Sequence, residues 1–271
     1  MKERKGVFWR SKLQRILAST LAVCMVATSI PVASAIATSD DTQVESAQET
    51  IYVNSYSGNE RSIDFNDHWR FYLGDASGAE NVIFNDSSWS DVTLPHDYSI
   101  DQGFTHAAPA EQESGYVLGG TGWYRKSFIL SKDMQGKTIS LDFDGIYMNA
   151  TIWVNGQKLG EHHYGYTPFS FVLPNDILNF GGEENVVAVK VDHQLPSSRW
   201  YSGSGIYRNV YMTVTDPVHI AYHGNYVTTP KIADEYASGV GTVHVETTVE
   251  NDRTEAAKVS IQNTVYRYNE D

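Results

Sequence analysis

The chain is poor in cysteine. Among 271 residues it has one, Cys24. Cys24 lies inside an apolar N-terminal run, so a product trimmed of that run has no thiol at all. Disulfide bonds and thiol nucleophiles are thereby excluded, and stability must come from an ordinary hydrophobic core, which a chain of this size can bury. Positive charge is also scarce, with 20 Lys and Arg against 33 Asp and Glu. An excess of acid argues against nucleic acid or an anionic membrane surface as partner, and fits a neutral ligand such as a sugar. The sequence has no phosphate-cradling glycine loop, no GxSxG elbow and no metal-ligand spacing. His162-His163 are adjacent and would point to opposite faces of a strand, so no metal site is assigned. No cofactor is implied.

The first 35 residues read as a secretory signal. Lys2, Arg4, Lys5, Arg10, Lys12 and Arg15 precede an apolar stretch from Ile16 to about Ile30, and Ala33-Ser34-Ala35 has the small-x-small form of a cleavage site. Ser19, Thr20, Thr28, Ser29 and Pro31 interrupt the apolar run, which speaks against a membrane-anchoring helix. Val23 before Cys24 is too large for a lipid-attachment signal. Cleavage removes six basic residues and one acidic residue, leaving a formal charge of −18. The expected location is secreted or at the cell surface, with no membrane partner after cleavage. Residues 36–60, rich in Thr, Ser, Asp, Glu and Gln, read as a flexible leader.

From Arg61 onward the pattern is short strands and turns. Gly122–Leu130 alternates apolar and polar residues. Ile139, Leu141 and Phe143 share one face of 137–144, as do Ala150, Ile152 and Val154 in 149–155, and Val187, Val189 and Val191 in 185–192; 207–214 gives another strand. Asn155-Gly156 is a two-residue hairpin signal. Gly181-Gly182 marks another turn, and Pro174–Leu178 reads as a single helical turn opened by proline. The fold class is all-β, a jelly-roll β-sandwich over 61–216. A boundary falls near Asp216-Pro217. Strands at 218–222, 240–250 and 258–266 then read as a partial immunoglobulin-like sandwich over 217–271, expected to be truncated because such a domain needs about 100 residues.

Two segments carry candidate function. Leu94-Pro95-His96-Asp97-Tyr98 opens a long excursion to Gly120 that holds Phe104, His106, Glu111, Glu113 and Tyr116; long loops on a rigid sandwich often bind. Ser198–Arg208 places Arg199, Trp200 and Tyr201 beside two glycines, and flat aromatics with polar neighbours suit the apolar face and hydroxyl rim of a sugar. The competing reading packs Trp200 and Tyr201 into the sandwich or a domain interface. Asp97, Asp101, Glu111, Glu113, Glu161 and Asp192 read as solvated carboxylates, none marked as acid or nucleophile, so no catalytic residue is assigned.

Trp69-Arg70-Phe71, Trp89, Leu94-Pro95-His96-Asp97, Gly122-Trp123-Tyr124-Arg125, Phe143-Asp144-Gly145, Trp153-Val154-Asn155-Gly156, Gly165-Tyr166-Thr167-Pro168-Phe169 and Arg199–Arg208 occur in this order. Together they closely resemble the sugar-binding jelly roll of glycoside hydrolase family 2, and 218–271 resembles the start of that family's immunoglobulin-like domain. The resemblance implies a retaining exo-β-glycosidase, of β-galactosidase kind, acting on a β-linked glycoside. Its catalytic glutamates would belong to a TIM barrel following these domains. It implies a sugar-contacting role for Asp97 in the rim loop, beside the substrate-binding role that Arg199, Trp200 and Tyr201 take from their residue types. Arg199 stands where some members carry a sodium-binding Asp, a job that Arg cannot perform. The alternative is a stand-alone secreted carbohydrate-binding module; a purely structural sandwich is a third reading.

Overall fold

The computed structural model describes residues 53–267 apart from Asn59. The signal peptide, Cys24 and most of the expected leader lie outside the described residues. Among the described residues no helix is long and apolar enough to cross a membrane.

Thirteen strands dominate the described chain: β1 Asn54–Tyr56, β2 Ser62–Asp64, β3 Trp69–Leu73, β4 Ser90–Val92, β5 Gly120–Leu130, β6 Thr138–Phe143, β7 Ala150–Val154, β8 Gln157–His162, β9 Phe169–Leu173, β10 Glu184–His193, β11 Val210–Thr215, β12 Val218–Thr228 and β13 His244–Asn251. Two helical turns, α1 (Tyr98–Asp101) and α2 (Ile232–Glu235), complete the regular structure with three 3₁₀ turns. One sheet runs β4-β3-β5-β10-β7-β8, with β1 added on β5; the second runs β2-β11-β6-β9. The architecture is the expected all-β sandwich.

The core lies between these sheets. Ile139, Leu141 and Phe143 of β6 meet Ala150, Ile152 and Val154 of β7 and Val187, Val189 and Val191 of β10, all fully buried, as strict period-two alternation requires. The Asn155-Gly156 turn has φ of 49° and 80° and closes β7 onto β8 with Val154 opposite Gln157, the two-residue geometry that this pair favours. At Pro174 a single turn is closed by Ile177 N donating to Pro174 O at 3.2 Å.

Two expectations are corrected. The leader does not run to residue 60, because Asn54–Tyr56 pairs in parallel with Phe128–Leu130 and Tyr56 packs its ring 5.3 Å from that of Phe65. Residues 258–266 form no strand; 261–266 lie beside β12 and β13, but among the described residues those two strands pair only with each other. The charged members of β5, Arg125 and Lys126, are both buried. Lys126 is buried on the core face, its Nζ donating to Phe65 O at 3.0 Å and Asp67 O at 2.7 Å. Arg125 is buried on the opposite face under the 74–89 excursion, where it meets Asp86 at 2.6 Å. Beside it Trp123 stacks on Trp153, centroids 5.4 Å apart, in a satellite cluster with Ala79, Trp89 and Ala188.

Candidate functional site

The two segments singled out in the sequence meet at one end of the sandwich. His96 N donates to Ile206 O at 2.9 Å and Tyr98 N to Ser204 O at 3.0 Å, so the chain entering the long excursion runs beside the end of the 198–208 segment. Asp97, between these two rungs, caps α1: its Oδ1 accepts from Ser99 N at 3.0 Å and from Ser204 N at 2.9 Å, while its Oδ2 accepts from Tyr201 Oη. The short Asx-type capping bond explains why α1 starts here.

The glycines of the 198–208 segment are required by this closure. Gly203 has φ +69°, and a Cβ on it would lie 2.7 Å from Asp97 Oδ2. Gly205 has φ +113°; its Cβ would press into Tyr124 Oη and sit 2.9 Å from His96 O. Positive φ and such close approach leave room only for hydrogen.

Beneath the loop runs a polar network that sequence reasoning missed. Ser204 Oγ, fully buried, bridges Ser99 Oγ and His193 Nδ1. Ser99 Oγ donates to Leu118 O at 2.6 Å, His193 Nε2 meets Ser197 Oγ at 2.6 Å, and Tyr147 Oη approaches Ser197 Oγ at 3.4 Å. Burial lowers the pKa of His193, with Asp97 and Asp192 opposing that shift. A second relay joins Tyr124 Oη to His96 Nδ1 at 2.7 Å and His96 Nε2 to Asp101 at 3.0 Å; burial outweighs Asp101 and lowers the His96 pKa. Serine and histidine look ordinary in sequence, and only the folding of three segments together reveals these contacts. Although Ser204 touches His193 as a nucleophile touches its base, the hydroxyl has no exposure to a substrate.

Above the network the surface is apolar. Ile100, Phe104, Gly115, Val117, Trp200 and Tyr201 line a cleft of about 290 Å³. Phe104 is 85% exposed and Trp200 69% exposed, so Trp200 is no core residue; Tyr201 is half-buried, its phenol pKa raised by burial and then by Asp97. Arg199 is exposed next to them. The structure therefore brings Asp97, Trp200 and Tyr201 together, with Asp97 largely occupied in holding the loop. A carboxylate has about four lone-pair positions; three protein donors leave Oδ2 one acceptor position. His162 and His163 lie elsewhere, His162 stacked on Phe169 at 4.1 Å and His163 Nδ1 3.3 Å from Asn149 Oδ1. What the cleft can do is hold a ligand with a flat apolar face and hydroxyl edges; it holds no facing pair of carboxyl groups.

Known proteins place the chain in a family. Residues 55–217 match the sugar binding domain of glycosyl hydrolases family 2. Beta-galactosidase BoGH2A of Bacteroides ovatus is 45% identical over 179 residues, covering 66% of this chain and 21% of that protein. A beta-glucuronidase of Formosa agariphila is 30% identical over 222 residues, covering 74% and 22%. The crystal structure of a glycosyl hydrolase family 2 member from Bacteroides cellulosilyticus superposes with a TM-score of 0.64 at 40% identity, covering 70% of this chain and 24% of that one. The chain spans about a fifth of the length of the curated relatives it matches. On the sandwich, the ordered motifs and this match over more than half its residues, the chain belongs to glycoside hydrolase family 2 and carries that family's sugar-binding domain.

Proposed function

We propose that this chain is the N-terminal, non-catalytic portion of a secreted retaining exo-β-glycosidase, a β-galactosidase in the first instance, and that the Asp97–Phe104–Trp200–Tyr201 edge forms part of the rim of its active site. The observation that carries the reading is the placement of two exposed aromatics beside a carboxylate, on a frame of buried hydrogen bonds, in a family 2 sugar-binding domain. Retaining hydrolysis needs two carboxyl groups about 5 Å apart, one as nucleophile and one as acid and then base. In this reading they belong to a TIM barrel outside these residues, and the present domain orients the glycoside against them. Binding energy from groups remote from the reacting bond raises turnover by positioning.

Trp200→Ala in the complete enzyme should lower kcat/KM for an aryl β-galactoside about tenfold, as the loss of one stacked ring, and Asp97→Ala should act in the same direction by loosening the loop. Unchanged kinetics in both variants would remove the rim assignment. Since named relatives include both galactosidase and glucuronidase, the ratio of rates on aryl β-galactoside and aryl β-glucuronide decides the sugar. The stand-alone binding module draws support from the same exposed rings. It predicts saccharide binding by a natural protein that lacks a barrel, and the reading frame of the gene separates the two.

A further inference from the structure

A second aromatic pair flanks the 195–205 segment and takes no part in the cleft above. It sits on the turn after β8, residues 163–167, which is firmly clamped. Gly165 O accepts from Tyr207 Oη at 2.8 Å, and Gly165 lies so close over the Tyr147 ring that any Cβ would overlap it. Thr167 Oγ1 meets His162 Nε2 at 3.1 Å. Tyr166 packs against the buried Tyr147 with centroids 5.2 Å apart, and Tyr164 packs against Tyr166 at 5.6 Å and 68°. Despite this support, Tyr164 is 60% exposed and Tyr166 47% exposed.

Rings held in place yet left in water present a prepared surface, because ordering them on binding costs little. With their planes at 68°, the pair makes an angled surface, here called the notch, that offers a ring face, a ring edge and the Tyr164 hydroxyl. A pyranose offers the complement, an apolar C–H face bordered by hydroxyls. The acid-rich chain disfavours an anionic ligand. Tyr147 ties this notch to the first cleft: its backbone exchanges hydrogen bonds with Gly205 at 3.0 and 2.8 Å, its ring meets His193 edge-on at 5.0 Å, and its hydroxyl approaches Ser197. Tyr147 therefore contacts both the 195–205 segment and Tyr166.

We propose that Tyr164 and Tyr166 form a second saccharide subsite, so that the chain engages a neutral β-linked oligosaccharide and not only a terminal sugar. The class of ligand rests on the sugar-binding reading given above; the site itself is independent of Trp200. The test is calorimetric titration of the chain with β-1,4-galactotetraose. The wild type should bind, Tyr164→Ala should weaken binding about tenfold, and Tyr164→Phe, which keeps the ring, should stay within about twofold. Tyr164 is exposed and its ring contact is with Tyr166 on the turn, so its loss leaves the near-ultraviolet circular dichroism of the core in place. In a Trp200→Ala background, Tyr164→Ala should weaken binding further. Equal affinity of wild type and Tyr164→Ala overturns the subsite, as does a wild-type chain blind to the tetraose, which would make the pair a protein contact. Failure of the rim reading shows instead in Trp200→Ala kinetics of the complete enzyme, so the two failures are distinct.

Discussion

Gly205 and Lys126 bracket what a single residue contributes here. Gly205 adopts a backbone conformation that L-residues avoid, with its missing side chain facing Tyr124 Oη and His96 O. Gly205→Ala should cost about 3 kcal/mol through strain and overlap, read as a drop in the urea midpoint at unchanged slope. Lys126 has three aromatic neighbours, with Nζ 4.1 Å from the Phe65 centroid. Burial pulls its pKa down to about 7, against the opposing pull of Asp67 and Asp64. The folded value lies below the unfolded one, so between about pH 7 and 10 the unfolded chain binds a proton that the folded chain does not. Stability relative to Lys126→Met should therefore rise with pH across that window, by at most about 1.4 kcal/mol per unit, and flatten below pH 7. Paired urea titrations at pH 7 and 9.5 measure this. The glycine-and-aromatic composition of 198–208 was legible because bends and flat rings announce themselves by residue type. Lys126 was not, because alternation assigns polar residues to water and nothing local reports two carbonyls waiting in the core.

At the scale of elements, β5 is the organising strand. It pairs with β3, β10 and β1 and is covered on both faces. Its outer face depends on Arg125, which is bound by Asp86 and by the carbonyls of Ala79 and Asn81. Removing one partner of a buried pair strands the other charge. Asp86→Ala should destabilise by about 3 kcal/mol and expose the satellite cluster, seen as a red shift of tryptophan fluorescence with partial loss of Trp123–Trp153 stacking. Strands β6, β7 and β10 and the Asn155-Gly156 turn were readable from period and turn chemistry, since both are local rules. Strand β1 was unreadable, because three residues in a polar stretch become a strand only through the parallel edge that β5 offers. The 258–266 run failed for a different reason: apolar alternation is present and 261–266 lie beside β12 and β13, but they do not join that ladder.

Across the whole molecule, the main core cluster draws its buried members from Phe65 to Val214. The β12–β13 hairpin touches the sandwich through polar contacts, among them Arg61 Nη2 to Ile220 O at 3.1 Å and Thr138 Oγ1 to Asp252 at 2.5 Å, and through Ala221. A chain ending at residue 216 should therefore keep a cooperative thermal transition within a few degrees of the parent, because the buried area that sets stability is retained. Loss of cooperativity in a thermal scan would show that the hairpin belongs to the same folding unit. The sequence alone determined the class of this protein: the period of its apolar residues, the chemistry of its turns and the ordered motifs are local properties that survive without a structure. The placement of function was decided only in three dimensions. Asp97 and Tyr201 are 104 residues apart and meet through one hydrogen bond, while Ser204, His193, Ser197 and Tyr147 become a network only when separate loops close over one another. Such contacts depend on distances between segments that no local pattern encodes.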